Sequence, residues 1–290
     1  MRVAAPLVCA LSLAALLVPD AAWAQGRGRP KRPPLVGGEF ASPTQNGRAR
    51  APSELSAPPE PLVRASFPQF GSWLDDASTW AAGSGSTGIG IGYWRGSGAS
   101  QIDVPILNVS YGVTNRAQLG ATVPFYRVNY LGTTARGLDD VYINGKFAVV
   151  GPSANGRFGL AVGSVIEILS AGTEDMSRVQ WAVPVSMEVR GDGVRGYASA
   201  GYFSRGAVFT AGAVEWTASG GTSLTGALAH SISVAESALA SGAENFTDVT
   251  LFVGHPVANA VSAYGGVGET FAGESRSFML TGGVAFRFSR

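Results

Sequence analysis

From about residue 85 to the end of the chain, apolar and polar side chains alternate in short segments bounded by turn residues, the two-residue period of strands with one greasy face. A stretch near the middle shows it best. Val179, Trp181, Val183, Val185, Met187 and Val189 share one face, and Gln180, Ser186, Glu188 and Arg190 share the other. Earlier, Val141, Ile143, Phe147 and Val149 oppose Asp140, Tyr142, Asn144 and Lys146, and Phe158, Leu160, Val162, Ile166 and Ile168 oppose a small face carrying Glu167. In the last segment Phe278, Leu280, Val284, Phe286 and Phe288 oppose Met279, Thr281, Ala285 and Arg287.

The pattern predicts about twelve strands, over 85–96, 101–112, 116–128, 138–150, 157–169, 178–190, 194–204, 206–217, 222–233, 245–254, 260–269 and 276–289. Most are long enough to cross a membrane, since a tilted strand needs about 9 to 11 residues. The second slips phase between Ile106 and Leu107. The seventh mixes Tyr197 and Phe203 with Arg195 and Arg205, so a bulge or shifted boundary is expected in each.

Connections add a separate signal, because outer-membrane barrels alternate short periplasmic turns with longer outer loops. The inner connections would be Val113 to Asn115, Gly151 to Gly156, Gly191 to Gly193, Ala218 to Gly221 and His255 to Asn259, all short. The outer ones would fall near Ser97 to Ser100, Asn129 to Gly137, Ser170 to Ser177, Arg205, Ala235 to Glu244 and Thr270 to Ser275, four of them long. The expected fold over 85–290 is therefore all-β: a transmembrane antiparallel up-and-down β-barrel of about twelve strands in a Gram-negative-type cell outer membrane.

Composition agrees with this reading. Charged residues make up 14% of the chain, against roughly 25% in ordinary soluble domains, so a soluble sandwich with a charge-dense outer face is disfavoured. A formal net charge of +1 provides no field to attract phosphates, and no nucleic-acid partner is expected.

Upstream of the strands the character changes. Met1-Arg2, the apolar run Ala4 to Val18 and Ala22-Trp23-Ala24 have the form of a secretory signal peptide over 1–24, cleaved after Ala24. Cys9 lies inside that run, so the exported chain would carry no cysteine and could use neither a thiol nucleophile nor a disulfide framework. Residues 25–65, rich in Pro, Arg, Ser and Gly, are expected to form a disordered periplasmic tail. Residues 66–84 are expected to be a short plug or pre-barrel segment. Ser72-Trp73-Leu74-Asp75 has capping-box spacing, and Trp73, Ala77, Trp80 and Ala81 would share a helical face, giving one or two helical turns at a barrel end or else a loop before the first strand.

Two resemblances follow from particular residues. Val284-Ala285-Phe286-Arg287-Phe288-Ser289-Arg290 resembles the aromatic-alternating terminal strand that the barrel-insertion machinery recognises, although two polar residues follow Phe288. Leu119-Gly120-Ala121-Thr122-Val123-Pro124-Phe125-Tyr126, followed by Gly137-Leu138-Asp139-Asp140-Val141-Tyr142-Ile143-Asn144-Gly145-Lys146-Phe147, resembles the outer-membrane transporter family named after meta-pathway phenol degradation, with Asp139 standing where members carry a second glycine. That resemblance implies a barrel passing or binding small hydrophobic or aromatic molecules.

The lumen-lining candidates are the ionisable groups placed inward by phase: Asp140, Lys146, Glu167, Glu188, Glu215, Asp248 and Arg287, together with Arg190. Ionisable groups at membrane depth are costly unless they face water or a counter-charge, so these residues make either an interior ion-pair network or a pore lining. Inward Gly159, Ala161, Gly163, Ala211, Ala213, Gly266 and Gly268 leave room for a lumen or for the segment around Trp73. Catalysis has little support. His230 and Ser231 are adjacent and point to opposite strand faces, and His255 precedes Pro256 in an expected inner turn. No cofactor or metal site is expected. The leading function is a channel or transporter with outer-membrane lipid and a small apolar ligand as partners. The alternatives are a structural envelope barrel with a filled lumen and, less favoured, an outer-membrane lipid hydrolase.

Overall fold

The computed structural model describes residues 74–96, 99–130, 133–151, 157–170, 179–204, 206–234, 245–273 and 275–289. The expected leader, Cys9, the Pro-rich tail and Trp73 lie outside the described residues. The strands are β1 (Gly85–Gly96), β2 (Ala99–Gly112), β3 (Ala117–Tyr130), β4 (Thr133–Leu138), β5 (Val141–Val150), β6 (Phe158–Ile168), β7 (Val179–Arg190), β8 (Val194–Phe203), β9 (Ala207–Thr217), β10 (Ser223–Ser233), β11 (Phe246–Ala258), β12 (Val261–Ala272) and β13 (Ser275–Phe288).

Each strand pairs antiparallel with its neighbours, and β1 closes on β13 from Gly85↔Phe288 to Gly96↔Ser277. That closure joins the two ends of the sheet, so the ladders have partners in an apolar surrounding, and among the described strands β4 pairs with β3 alone. β4 and β5 both pair with β3 and form two pieces of one stave, so the thirteen segments make a closed barrel of twelve staves. Pro124 explains the interruption. It has no N–H for the ladder, its carbonyl instead accepts from Asp139 N at 2.9 Å, and the pairing slips by one residue between Thr122↔Tyr142 and Phe125↔Leu138.

The outer surface is apolar. On β7 the residues Val179, Trp181, Val183, Val185, Met187 and Val189 are all exposed, and the residues alternating with them from Ala182 to Glu188 are buried. Comparable exposed runs include Leu224 and Leu228 on β10, Val249, Leu251 and Val253 on β11, and Phe278, Leu280, Phe286 and Phe288 on β13. Aromatic rings gather towards the two rims. Trp181 and Tyr202, with centroids 6.1 Å apart, and Phe278 lie near one end, and Tyr111, Phe147, Phe158, Trp216 and Phe286 lie near the other. A greasy band between two aromatic girdles is the surface that a bilayer requires.

Three expectations are corrected. The outer stretch Asn129 to Gly137 is largely a hairpin of β3 and β4, and Thr270 to Ser275 is mostly the ends of β12 and β13. β4 is exposed at all six positions, and a strand wetted on both faces carries no alternation to read. β11 also runs on to Ala258, with a register shift between Pro256 and Ala258, so the inner turn is shorter than His255 to Asn259. The phase slip in β2 is a real irregularity, between Asp103 and Ile106. β8 has no register shift against either neighbour; Tyr197 simply points inward beside Arg195.

Candidate functional site

Residues 74–84 run inside the barrel before entering β1. They are not helical, and several of their polar groups are met by side chains of the wall and of the turn between β2 and β3. Asp75 N donates to Ser199 Oγ at 3.4 Å, Trp80 N to Gln118 Oε1 at 3.0 Å, and Ala82 N to Asn115 Oδ1 at 2.9 Å. Wall partners of this kind remove the need for helical hydrogen bonds. Leu74 packs with Tyr197, Ala211, Ala213, Ala227 and Ala229, so two of the small inward positions expected to leave room do hold this plug. Trp80 is 1% exposed, and its indole Nε1 donates to Ser110 Oγ at 2.7 Å. Gly112 is required here, since a Cβ would meet the backbone of Trp80 and Ala81.

Charge fastens the plug. Lys146 Nζ on β5 lies 2.8 Å from Asp75 Oδ1 and 3.1 Å from Asp76 Oδ1. Arg195 on β8 reaches Asp76 Oδ2 at 2.6 Å, Glu215 Oε2 on β9 at 2.9 Å and Glu188 Oε1 on β7 at 3.5 Å. Ser78 Oγ donates to Glu188 Oε2 at 2.6 Å, and Arg190 donates to both Glu188 and Ser78. Register builds this cluster: Arg195 stands opposite both Arg190 and Glu215, and the two arginines are tolerable as neighbours because carboxylates lie beside them. Arg195 also lies 4.8 Å from the Tyr197 ring centre. Burial pushes the Asp75 carboxyl up to about 7, with Asp76 adding to the rise and Lys146 opposing it. Asp76 is buried as deeply, yet Lys146, Arg195 and Arg190 together hold its carboxyl below the usual range.

Of the lumen-lining candidates, Lys146, Glu188 and Glu215 meet at the plug, together with Arg190. The others do not join them. Asp140 falls in the break between β4 and β5, half-buried, and its Oδ1 accepts from Ser170 N at 2.8 Å and Ser170 Oγ at 3.1 Å, so it anchors the start of an outer connection. The slip at Pro124 moves the inward position to Asp139, which is buried and accepts from Gln101 at 3.0 Å. Glu167 accepts from the Tyr142 hydroxyl at 2.9 Å, away from the plug. Asp248 is buried on β11, and Arg287 sits at the end of β13, where it donates to Asn259 O at 3.5 Å. Sequence reading missed Arg195, Asp75, Asp76 and Ser78 as site residues; the available signal was the adjacent acid pair upstream of the first strand and the inward phase of Arg195 with Tyr197 and Ser199. His230 Nδ1 is paired with Thr247 Oγ1 at 2.8 Å on the outer face, and Ser231 points inward.

No protein-family profile and no curated protein sequence matches the chain. Solved structures do. The NanC porin is 12% identical with a TM-score of 0.50, the match covering 70% of this chain and 100% of that one. The KdgM porin is 11% identical at TM-score 0.48, covering 69% and 99%, and the CymD monoaromatic hydrocarbon channel is 5% identical at 0.42, covering 73% and 89%. The chain has the fold of an outer-membrane β-barrel, as in the NanC porin.

Proposed function

We propose that this chain is an outer-membrane channel or transporter for small hydrophobic or aromatic molecules, held shut in this state by residues 74–84. The observation that carries the reading is how the plug is held. Leu74 to Ala82 are fastened by side chains of the wall and of the turn between β2 and β3, and their backbone joins no strand of the sheet, so these residues can leave, hinged where Gly83 and Ser84 bond to Gly112, without opening a single ladder of the barrel. The substrate class rests on the resemblance of 119–126 and 137–147 to the phenol-degradation transporter family. Export through a leader cleaved after Ala24, and insertion through the strand ending at Phe288, belong to the same proposal.

A second reading, a structural envelope barrel with a filled lumen, is favoured by the wall opposite the latch. Inward Gly266 is covered by the Phe252 ring, Gly268 by Thr250 and Met279, and Gly90 and Gly283 by the Tyr264 hydroxyl, so side chains fill space that the glycines leave. Conductance in planar bilayers separates the two readings. The full chain is expected to be mostly closed, with long open steps in the Asp76→Asn variant. Silence in both proteins, each shown folded by heat-modifiable gel mobility, removes the channel reading in favour of the filled barrel.

A further inference from the structure

We infer that Lys146 and Arg195 form a carboxylate-binding site in the lumen, which the chain's own Asp76 occupies in this state. This site rests on the channel reading and adds a charge requirement to its substrate class: a small apolar or aromatic molecule bearing a carboxylate. Lys146 is the key residue. It is 7% exposed on a barrel strand, and both carboxylates beside it, Asp75 and Asp76, belong to the plug and not to the wall. A buried ammonium needs an anion. When the plug leaves, the wall of the cluster keeps three cations, Lys146, Arg190 and Arg195, against two carboxylates, Glu188 and Glu215. The Glu188 and Glu215 carboxylates stay with the arginines, so the positive excess falls at Lys146.

The Asp76 carboxylate shows how an incoming anion is held, with one oxygen 3.1 Å from Lys146 Nζ and the other 2.6 Å from Arg195. A two-oxygen acceptor between an ammonium and a guanidinium is the geometry of charge-assisted carboxylate recognition. Beside Lys146 lies a small cavity bounded by Asn144, Gly163, Val165, Pro184 and the plug's own Asp75. Its apolar side, Val165 and Pro184, suits the hydrocarbon body of such a molecule, and removal of Asp75 with the plug enlarges it. Ligand and plug therefore compete for one site, and a carboxylate solute is both cargo and key.

The test is calorimetric titration of sodium benzoate into the detergent-solubilised full chain, with benzamide as the neutral isostere. Because a site free only part of the time shows weakened apparent affinity, benzoate should bind the Asp76→Asn variant at least about tenfold tighter than wild type. Benzamide should bind neither, and adding Lys146→Gln to the Asp76→Asn variant should abolish benzoate binding. Benzoate affinity that is indifferent to Lys146, or matched by benzamide, overturns the site. A second measurement needs no charge variant. A nitroxide label at Ala82→Cys in a Cys9→Ala background, in the exposed foot of the plug, should gain mobility on adding benzoate and not on adding benzamide at equal ionic strength, and a label indifferent to both overturns the competition. Benzoate binding with silent bilayers would remove passage and leave the site standing, so the two proposals fail separately.

Discussion

The guanidinium of Arg195 and the carboxylate of Asp76 meet at 2.6 Å, joining a barrel strand to a segment 119 residues earlier in the chain, and the two side chains are 3% and 0% exposed. This pair closes the latch, because Arg195 also gathers Glu188 and Glu215 around the same point.

Arg195→Met leaves those three buried carboxylates without their shared cation. Breaking a buried ion pair from one side typically costs about 3 to 5 kcal/mol, and that loss is expected in urea unfolding of the detergent-solubilised barrel. Arg195→Lys keeps the charge and loses the fork, so it should fall between Arg195→Met and wild type. Wild-type stability in Arg195→Met would mean that the latch carries no weight.

The two plug acids should give opposite pH limbs. Asp75, raised from 3.8 to about 7, favours the docked state fully below 3.8, and that contribution fades as pH rises towards 7. Asp76, lowered from 3.8, favours docking above that value and loses its contribution as pH falls. Mobility of a label at Ala82→Cys, followed from about pH 3 to pH 8, should show both limbs. Asp75→Asn should flatten the neutral limb only, and Asp76→Asn the acid limb only.

Gly112→Ala tests the plug without altering any charge. The new methyl meets the backbone of Trp80 and Ala81, and neither can yield as a flexible side chain would. Overpacking of this kind costs about 1 to 3 kcal/mol, and here it should appear as a looser plug and longer open times with the barrel itself intact. Unchanged conductance would contradict the close approach.

Val185 lies on the outer face near the middle of β7 and is 45% exposed. Val185→Arg should cost about 2 to 4 kcal/mol in folding into lipid vesicles, the figure for a cation at the bilayer midplane. An equal stability in vesicles would place that face in water.

The barrel was legible in the sequence because a lipid-facing strand repeats its apolar residues every second position over the whole membrane depth, as Val179 to Val189 do. Legibility ended where that rule stops. Past the greasy band, Thr133 to Leu138 is wet on both faces and looks like a loop. At Pro124 a one-residue slip exchanges Asp140 for Asp139 as the inward acid, and alternation alone carries no mark of a slip inside a segment. An inward aromatic, Tyr197, disguised the phase of Arg195. Which groups the latch pairs had no local signal, since Lys146 and Asp75 are 71 residues apart and come together only when the barrel closes around the plug.

The central claim is that Leu74 to Ala82 lie within the lumen, and a reducible cross-link tests it most directly. In a Cys9→Ala background, Leu74→Cys and Ala213→Cys, which belong to one buried cluster, should be joined by a short disulfide-containing bis-maleimide in the full chain reconstituted in lipid vesicles. The expected result is a linked product whose conductance is locked shut and returns to the unlinked level on reduction. Failure to link, or linking that leaves open steps unchanged, would contradict it.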